Sequence, residues 1–308
     1  MSSIKQYMSK FTHKVLQRNS RHLSDQAFLR MAYNVIFERD IDPEGLNVWQ
    51  QQLKQGLTRH DLVKKLVDSP EFSARCSSAI STNSESVFYA IHNARVEMIR
   101  TLLPPAEVVL DLGGAHPTDP KGSLLNYGYP YLPKKLYIVD LPPDTRMFEA
   151  QVVPQKYNHE GCEIEYVYRS MSDLSCFEEE SFDLIWSGES IEHIPVEEAE
   201  KVFEQVYKLL KPNGKFVLDT PNRRATILQV PNGYIHPEHK IEYYYEDFLE
   251  LINKHNFKLI NSKGIIDMTE SIVSSKFIQE ELIRNSGLNE NPTNSYLFYI
   301  CCMRVNEQ

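Results

Sequence analysis

The 308-residue chain contains no run of about 18 apolar residues, so nothing in it reads as a membrane-spanning helix. The amino terminus lacks the continuous apolar block of a secretory signal. The five cysteines, Cys76, Cys162, Cys176, Cys301 and Cys302, form no C-x-x-C pair. Neither a zinc site nor a disulfide framework is expected from them, and a reducing cytoplasm is the expected compartment. No G-x-G-x-x-G is present, which speaks against a nicotinamide dinucleotide. Internal repeats and low-complexity tracts are missing too. Positive charge is in deficit, with a net charge of −9, so a nucleic-acid partner is not expected.

One region reverses that balance. Between Met1 and His22 the charged residues are Lys5, Lys10, Lys14, Arg18 and Arg21, with no acid. Ile4, Met8, Phe11 and Val15 can share one helical face. Two readings stand: a lead-in helix packed on its neighbour, or a peripheral contact with anionic lipid.

The length suits about two domains, and a hydrophobic fraction of 42% supports a packed core. Residues 1–77 read as a helical module. Asp25 can cap a helix carrying Phe28, Leu29, Ala32, Tyr33, Ile36 and Phe37. Asp42-Pro43-Glu44 starts a second, Gly56 ends it, Thr58 opens a third, and Ser69-Pro70-Glu71 starts a short last one. Asp40, Asp42 and Glu44 read as loop capping rather than a calcium loop. The Ser/Thr/Asn-rich stretch 77–86 reads as a linker.

Residues 78–308 read as the second domain. A helix stripe of Phe88, Ile91, Ala94, Met98 and Leu102 comes first. β-Branched and aromatic runs then alternate with helical stretches, with strands expected at 106–112, 135–140, 163–169, 182–187, 215–220, 257–265 and 295–304. Such alternation predicts an α/β fold: a doubly wound, mostly parallel sheet of seven strands behind a small all-α domain.

The chemistry gathers at the ends of these runs. Val108-Val109-Leu110-Asp111-Leu112-Gly113-Gly114-Ala115 is a buried strand delivered into a tight glycine turn. Leu136-Tyr137-Ile138-Val139 ends in Asp140, a strand-tip carboxylate suited to ribose hydroxyls. Together they point to a nucleoside-bearing cofactor.

Residues 88–304 resemble a class I S-adenosylmethionine-dependent methyltransferase, and the motifs stand in that family's order. After the glycine loop and Asp140 come Ser170-Met171-Ser172-Asp173-Leu174, Phe182 to Ser187, and Glu189-Ser190-Ile191-Glu192-His193-Ile194. Leu210-Lys211-Pro212-Asn213-Gly214 and Thr220-Pro221-Asn222 follow. The resemblance implies S-adenosylmethionine as cofactor, held by Asp111, Gly113, Gly114, Ala115, Asp140, Leu141, Ser170, Met171, Ser187 and Glu189. Two departures stand out. Ala115 and Pro117 replace the family's last two loop glycines, and the interval from Asp111 to Asp140 is long. His116 to Pro133 is expected to bulge over the cofactor edge rather than form a full crossover helix.

A hydroxyl acceptor must lose its proton, and histidine suits that near neutral pH. His239 is the first candidate base, followed by His193 and His236, with Glu189 and Glu192 behind them. His236-x-x-His239 falls short of a metal's three converging ligands, so no metal is expected. The segments around 233–240 and 243–248 resemble a subgroup linked to sugar and small-molecule methylation. Phe28 to Tyr33, Phe37 to Leu46, Trp49 and Ser69 to Phe72 resemble a helical domain of unknown function. That domain occurs in bacterial surface-polysaccharide proteins and is similar to phycobilisome linker modules. The resemblances imply methyl transfer to a sugar hydroxyl of a glycan or glycolipid. Methylation of a small metabolite at oxygen or nitrogen, and a non-catalytic scaffold, are the alternatives.

Overall fold

The computed structural model describes residues 23–37, 39–72, 83–116, 118–145 and 155–305. The basic segment 1–22, Cys76, residues 77–82 of the expected linker and Pro117 lie outside these. The chain forms two compact units, Met1–Ser86 and Val87–Gln308.

The first unit contains α1 (Asp25–Phe37), α2 (Pro43–Lys54) and α3 (Arg59–Val67). Ser24, not Asp25, caps α1: its Oγ accepts the Ala27 N–H at 3.2 Å, and Asp25 instead pairs with Arg59 at 2.7 Å. Asp42 caps α2 through the Gly45 N–H at 2.8 Å, and Thr58 caps α3 through the Asp61 N–H at 3.1 Å. Phe28, Leu29, Ala32 and Ile36 of α1 bury against Leu62, Val63 and Leu66 of α3 and against Phe72. The Trp49 ring N–H donates to the Tyr33 hydroxyl at 2.9 Å.

The second unit is built on one nine-stranded sheet. Its strands are β1 (Val108–Leu112), β2 (Lys135–Asp140), β3 (Lys156–His159), β4 (Cys162–Tyr168), β5 (Phe182–Gly188), β6 (Leu210–Pro221), β7 (Phe257–Asp267), β8 (Leu288–Asn289) and β9 (Ser295–Arg304). The order is β3-β4-β2-β1-β5-β6-β9-β7-β8. Neighbours from β4 to β6 are parallel, while β9 runs antiparallel to both β6 and β7. This is a Rossmann-like fold, a doubly wound sheet with a mostly parallel core. The seven expected strands are all present. Two short additions, β3 and β8, correct the count: each pairs antiparallel with a strand beside it at an edge of the sheet.

The helices of this unit are α4 (Asn83–Leu102), α5 (Gly122–Asn126), α6 (Val196–Leu209), α7 (Arg223–Gln229), α8 (Tyr245–Lys254), α9 (Thr269–Ser274) and α10 (Gln279–Arg284). Successive strand residues face opposite sides. In β1, Leu110 and Leu112 join α6 and α8 residues such as Phe203 and Phe248. Val109 joins Ala94, Met98 and Ile99 of α4 on the other side. Phe88 departs from the expected stripe: it is exposed and stacks on His92 instead. α4 begins at Asn83, inside the expected linker, and α5 is the only helix between β1 and β2 among the described residues. The 116–133 segment therefore lacks a full crossover helix, as expected.

Candidate active site

Parallel strands deliver their carboxyl ends to one edge of the sheet, and the candidate residues collect there. Gly113 has φ +76°, and its N–H donates to Val139 O at 2.8 Å. A Cβ on it would lie 2.7 Å from Ser190 Cβ, and one on Gly114 would collide with the Asp111 carboxylate. Both glycines are therefore required by close packing. The Ala115 N–H donates to Asp140 Oδ2 at 2.9 Å, so the β2 tip pins the loop leaving β1. Asp140 Oδ1 accepts the Leu141 N–H at 2.7 Å.

A cavity of about 350 Å³ opens beside this loop. Asp111, Gly113, Gly114, Ala115 and Glu189 line it together with Arg95, Tyr127 and Trp186. The other candidates surround the loop without lining the cavity. Met171 approaches Gly113, and Ser170 hydrogen-bonds Ser172, which in turn donates to Glu198. The buried Ser187 hydroxyl bonds Ser190 Oγ at 2.7 Å, and Ser190 donates to Leu112 O. Leu141 is exposed beside Asp140.

Asp111 is buried on the cavity wall, and its Oδ2 has no hydrogen-bond partner. Burial, reinforced by the nearby Asp140 charge, pushes its carboxyl up to about 8. Arg95 of α4 reaches under the same wall. Its Nε is 2.5 Å from Asp219 Oδ2, and its other amino nitrogen is 2.7 Å from Glu189. Burial would lower the guanidinium's proton affinity, but the Asp219 and Glu189 charges raise it overall. Arg95, Tyr127 and Trp186 were not foreseen. An arginine beside an apolar helix stripe, and Asp219 directly after the apolar run 216–218, were the available signals.

The three candidate histidines come together. His193 lies in the turn after β5, while His236 and His239 lie in the loop between α7 and α8. The Lys240 and Ile241 N–H groups donate to Glu192 O at 2.8 and 3.3 Å, tying the two segments together. The ring centroids of His193 and His239 are 4.9 Å apart, those of His236 and His239 5.4 Å, and those of His193 and His236 5.7 Å. Burial, followed by the charges of His239 and His236, lowers His193 to about 4. Its ring is therefore neutral at pH 7.

Glu242, also unforeseen, organises this cluster. Its Oε1 lies 2.8 Å from His239 Nδ1 and accepts the Ile235 N–H at 2.8 Å. Its Oε2 accepts from the Thr226 hydroxyl and from Arg223. Burial would raise this carboxyl, but the hydrogen bonds from His239, Thr226 and Ile235 hold it below the usual range. An anionic Glu242 fixes the His239 tautomer with the proton on Nδ1. Glu192 differs: burial and the Glu189 charge push it well up, and Thr220 donates to it at 3.0 Å.

Residues 121–218 match the methyltransferase domain family, and residues 9–76 match a domain of unknown function (DUF4214). The ubiquinone biosynthesis O-methyltransferase of Xanthomonas axonopodis pv. citri is 30% identical over 136 residues, covering 44% of this chain and 52% of that protein. The phosphoethanolamine N-methyltransferase 2 of Caenorhabditis elegans is 28% identical over 129 residues, covering 34% of this chain and 27% of its own. The chain thus spans about half the length of the ubiquinone relatives it matches. Among solved structures, a possible histamine N-methyltransferase from Thermotoga maritima aligns with a TM-score of 0.48 at 14% identity, over 74% of this chain and 97% of that one.

The match of residues 121–218 to the methyltransferase domain family implies S-adenosylmethionine as the cofactor. The site fits it: a glycine cradle closed to any Cβ, a cavity beside it, and a buried carboxyl on the wall with one oxygen left without a partner.

Proposed function

We propose that the chain transfers a methyl group from S-adenosylmethionine to an acceptor oxygen, a sugar hydroxyl of a glycan or glycolipid in the first instance. The observation that carries the oxygen assignment is the His239–Glu242 pair, which occupies Nδ1 of His239 and leaves Nε2 as its proton acceptor. An amine acceptor needs only a free lone pair, whereas a hydroxyl needs somewhere for its proton to go.

The cofactor supplies an activated methyl on a sulfonium, so alignment of the acceptor carries much of the rate. Gly113, Gly114 and Ala115 would hold its amino-acid end, with Asp111 beneath and Asp140 at the ribose. Glu189 lines that cavity and lies within electrostatic reach of His239, and this reading assigns the three histidines to the acceptor end. His239 takes the acceptor's proton on Nε2, and Glu242 stabilises the charge that the ring then carries. His193, neutral at pH 7, lies against it and adds no repulsion.

The resemblance to the O-methylating ubiquinone relatives and the N-methylating phosphoethanolamine relatives keeps a small-metabolite acceptor as the second reading. The test is transfer from methyl-labelled cofactor to three acceptor sets: nucleotide sugars and oligosaccharides, phenols, and primary amines. The product is located by mass spectrometry. O-methylated sugar supports the proposal; N-methylated amine as the sole product contradicts it.

A further inference from the structure

We propose that His193, His236 and His239 bind one divalent transition-metal cation of the zinc class at the acceptor end of the cleft. One nitrogen from each ring lies within 4.8 Å of the other two. Bound at about 2.0–2.1 Å in a tetrahedral arrangement, three such nitrogens lie roughly 3.3 Å apart. The rings must therefore close by about 1.5 Å at most, a movement of side chains rather than backbone.

Three features make this more than a chance gathering of histidines. First, His239 already carries the support that a metal-binding imidazole needs. Its Nδ1 proton goes to Glu242, whose side chain is fully buried, and Nε2 is left for a cation. Glu242 is itself held from three other directions, by Thr226, Ile235 N–H and Arg223. Second, the pair His236 and His239 comes from one loop and His193 from another. The Lys240 N–H bond to Glu192 O fixes the distance between those loops without using any imidazole. Third, the restraint on His236 is weak: Glu238 N–H reaches its Nδ1 at 3.3 Å, long enough to give way. The i, i+3 pair was short of a ligand set in sequence, and the fold supplies the missing one.

Three neutral nitrogens favour zinc, cobalt or nickel over magnesium or calcium, which prefer oxygen. A three-histidine set also leaves a coordination position open, as metal sites that act on a substrate do. The class of molecule it would take is a hydroxyl compound bound through oxygen. This refines the reading of the cleft given above and rests on it for that last point. With a cation bound, His239 serves as a ligand and the cation polarises the hydroxyl.

The test uses untagged full-length protein, stripped with a chelator and titrated with Co²⁺ by visible absorption and with Zn²⁺ by calorimetry. One site per chain with a four-coordinate cobalt spectrum is expected. His193→Ala and His236→Ala should each weaken it at least tenfold, and Glu242→Gln by about 10–100-fold, the range for losing a metal ligand's supporting partner. Thermal melting shows that each variant is folded. Absent or non-saturable binding by folded wild type overturns the site, as does unchanged affinity in the His193 and His236 variants. Wild type that binds S-adenosylhomocysteine but no cobalt defeats this inference alone. Wild type that binds cobalt but no S-adenosylhomocysteine supports the site and defeats the methyltransferase reading.

Discussion

Arg95 and Asp219, 124 positions apart in sequence, meet in a two-pronged ion pair of 2.5 and 3.0 Å with both side chains buried. The pair joins α4 to the parallel core of the sheet, and Arg95 then continues to Glu189 on the cavity wall. Arg95→Met should destabilise the domain by about 3–5 kcal/mol, because it strands a buried carboxylate. Adding Asp219→Leu should recover most of that loss. Urea unfolding measures both; a single variant as stable as wild type would show that the pair is solvated.

Asp111 gives the domain a characteristic pH dependence. Its folded value, pushed up to about 8, lies above the unfolded carboxylate value of about 3.9. The folded state thus keeps a proton that the unfolded chain releases. That contribution is complete below about pH 4 and is lost as pH rises toward 8. Asp111→Asn has no such proton. Between about pH 5 and 7.5, wild type should therefore lose about 1–3 kcal/mol relative to the variant. Parallel stability curves for the two proteins would remove the assignment.

Glu242 is a positioning residue, acting through His239. Glu242→Gln should lower kcat by about 10²–10⁴-fold, the value of a placed base, while KM for the cofactor stays within about twofold. A rise in KM with kcat unchanged would mean that Glu242 shapes binding only.

The first unit encloses its own core of α1 and α3 residues around Phe28 and Phe72. A fragment beginning at Thr82 should therefore retain cooperative melting and its affinity for S-adenosylhomocysteine. A fragment that melts without cooperativity would show that the two units share stability.

The glycine loop, the strand ends and the seven main strands were legible because β-branched runs ending in acid or glycine are local signals. Asp42 and Thr58 could be read as caps for the same reason. What escaped the sequence depends on distant pairing. Asp219 looks like an interruption of an apolar strand until Arg95 arrives from α4. Glu242 looks like one acid in a polar loop, yet it is buried and holds four donors. The convergence of His193 with His236 and His239 needs the crossover that places the β5 exit beside the α7–α8 loop. β3 and β8 were missed because strands of four and two residues carry too little periodicity to read.

The central claim is that the glycine loop and Asp140 hold S-adenosylmethionine. Calorimetric titration of wild type and Asp140→Ala with S-adenosylhomocysteine, after removal of any co-purified ligand, tests it most directly. Wild type should bind one equivalent, and the variant should bind more weakly by about 1.5–3 kcal/mol, the scale of charge-assisted hydrogen bonds lost. Folded wild type that binds none, or a variant of unchanged affinity, would contradict it.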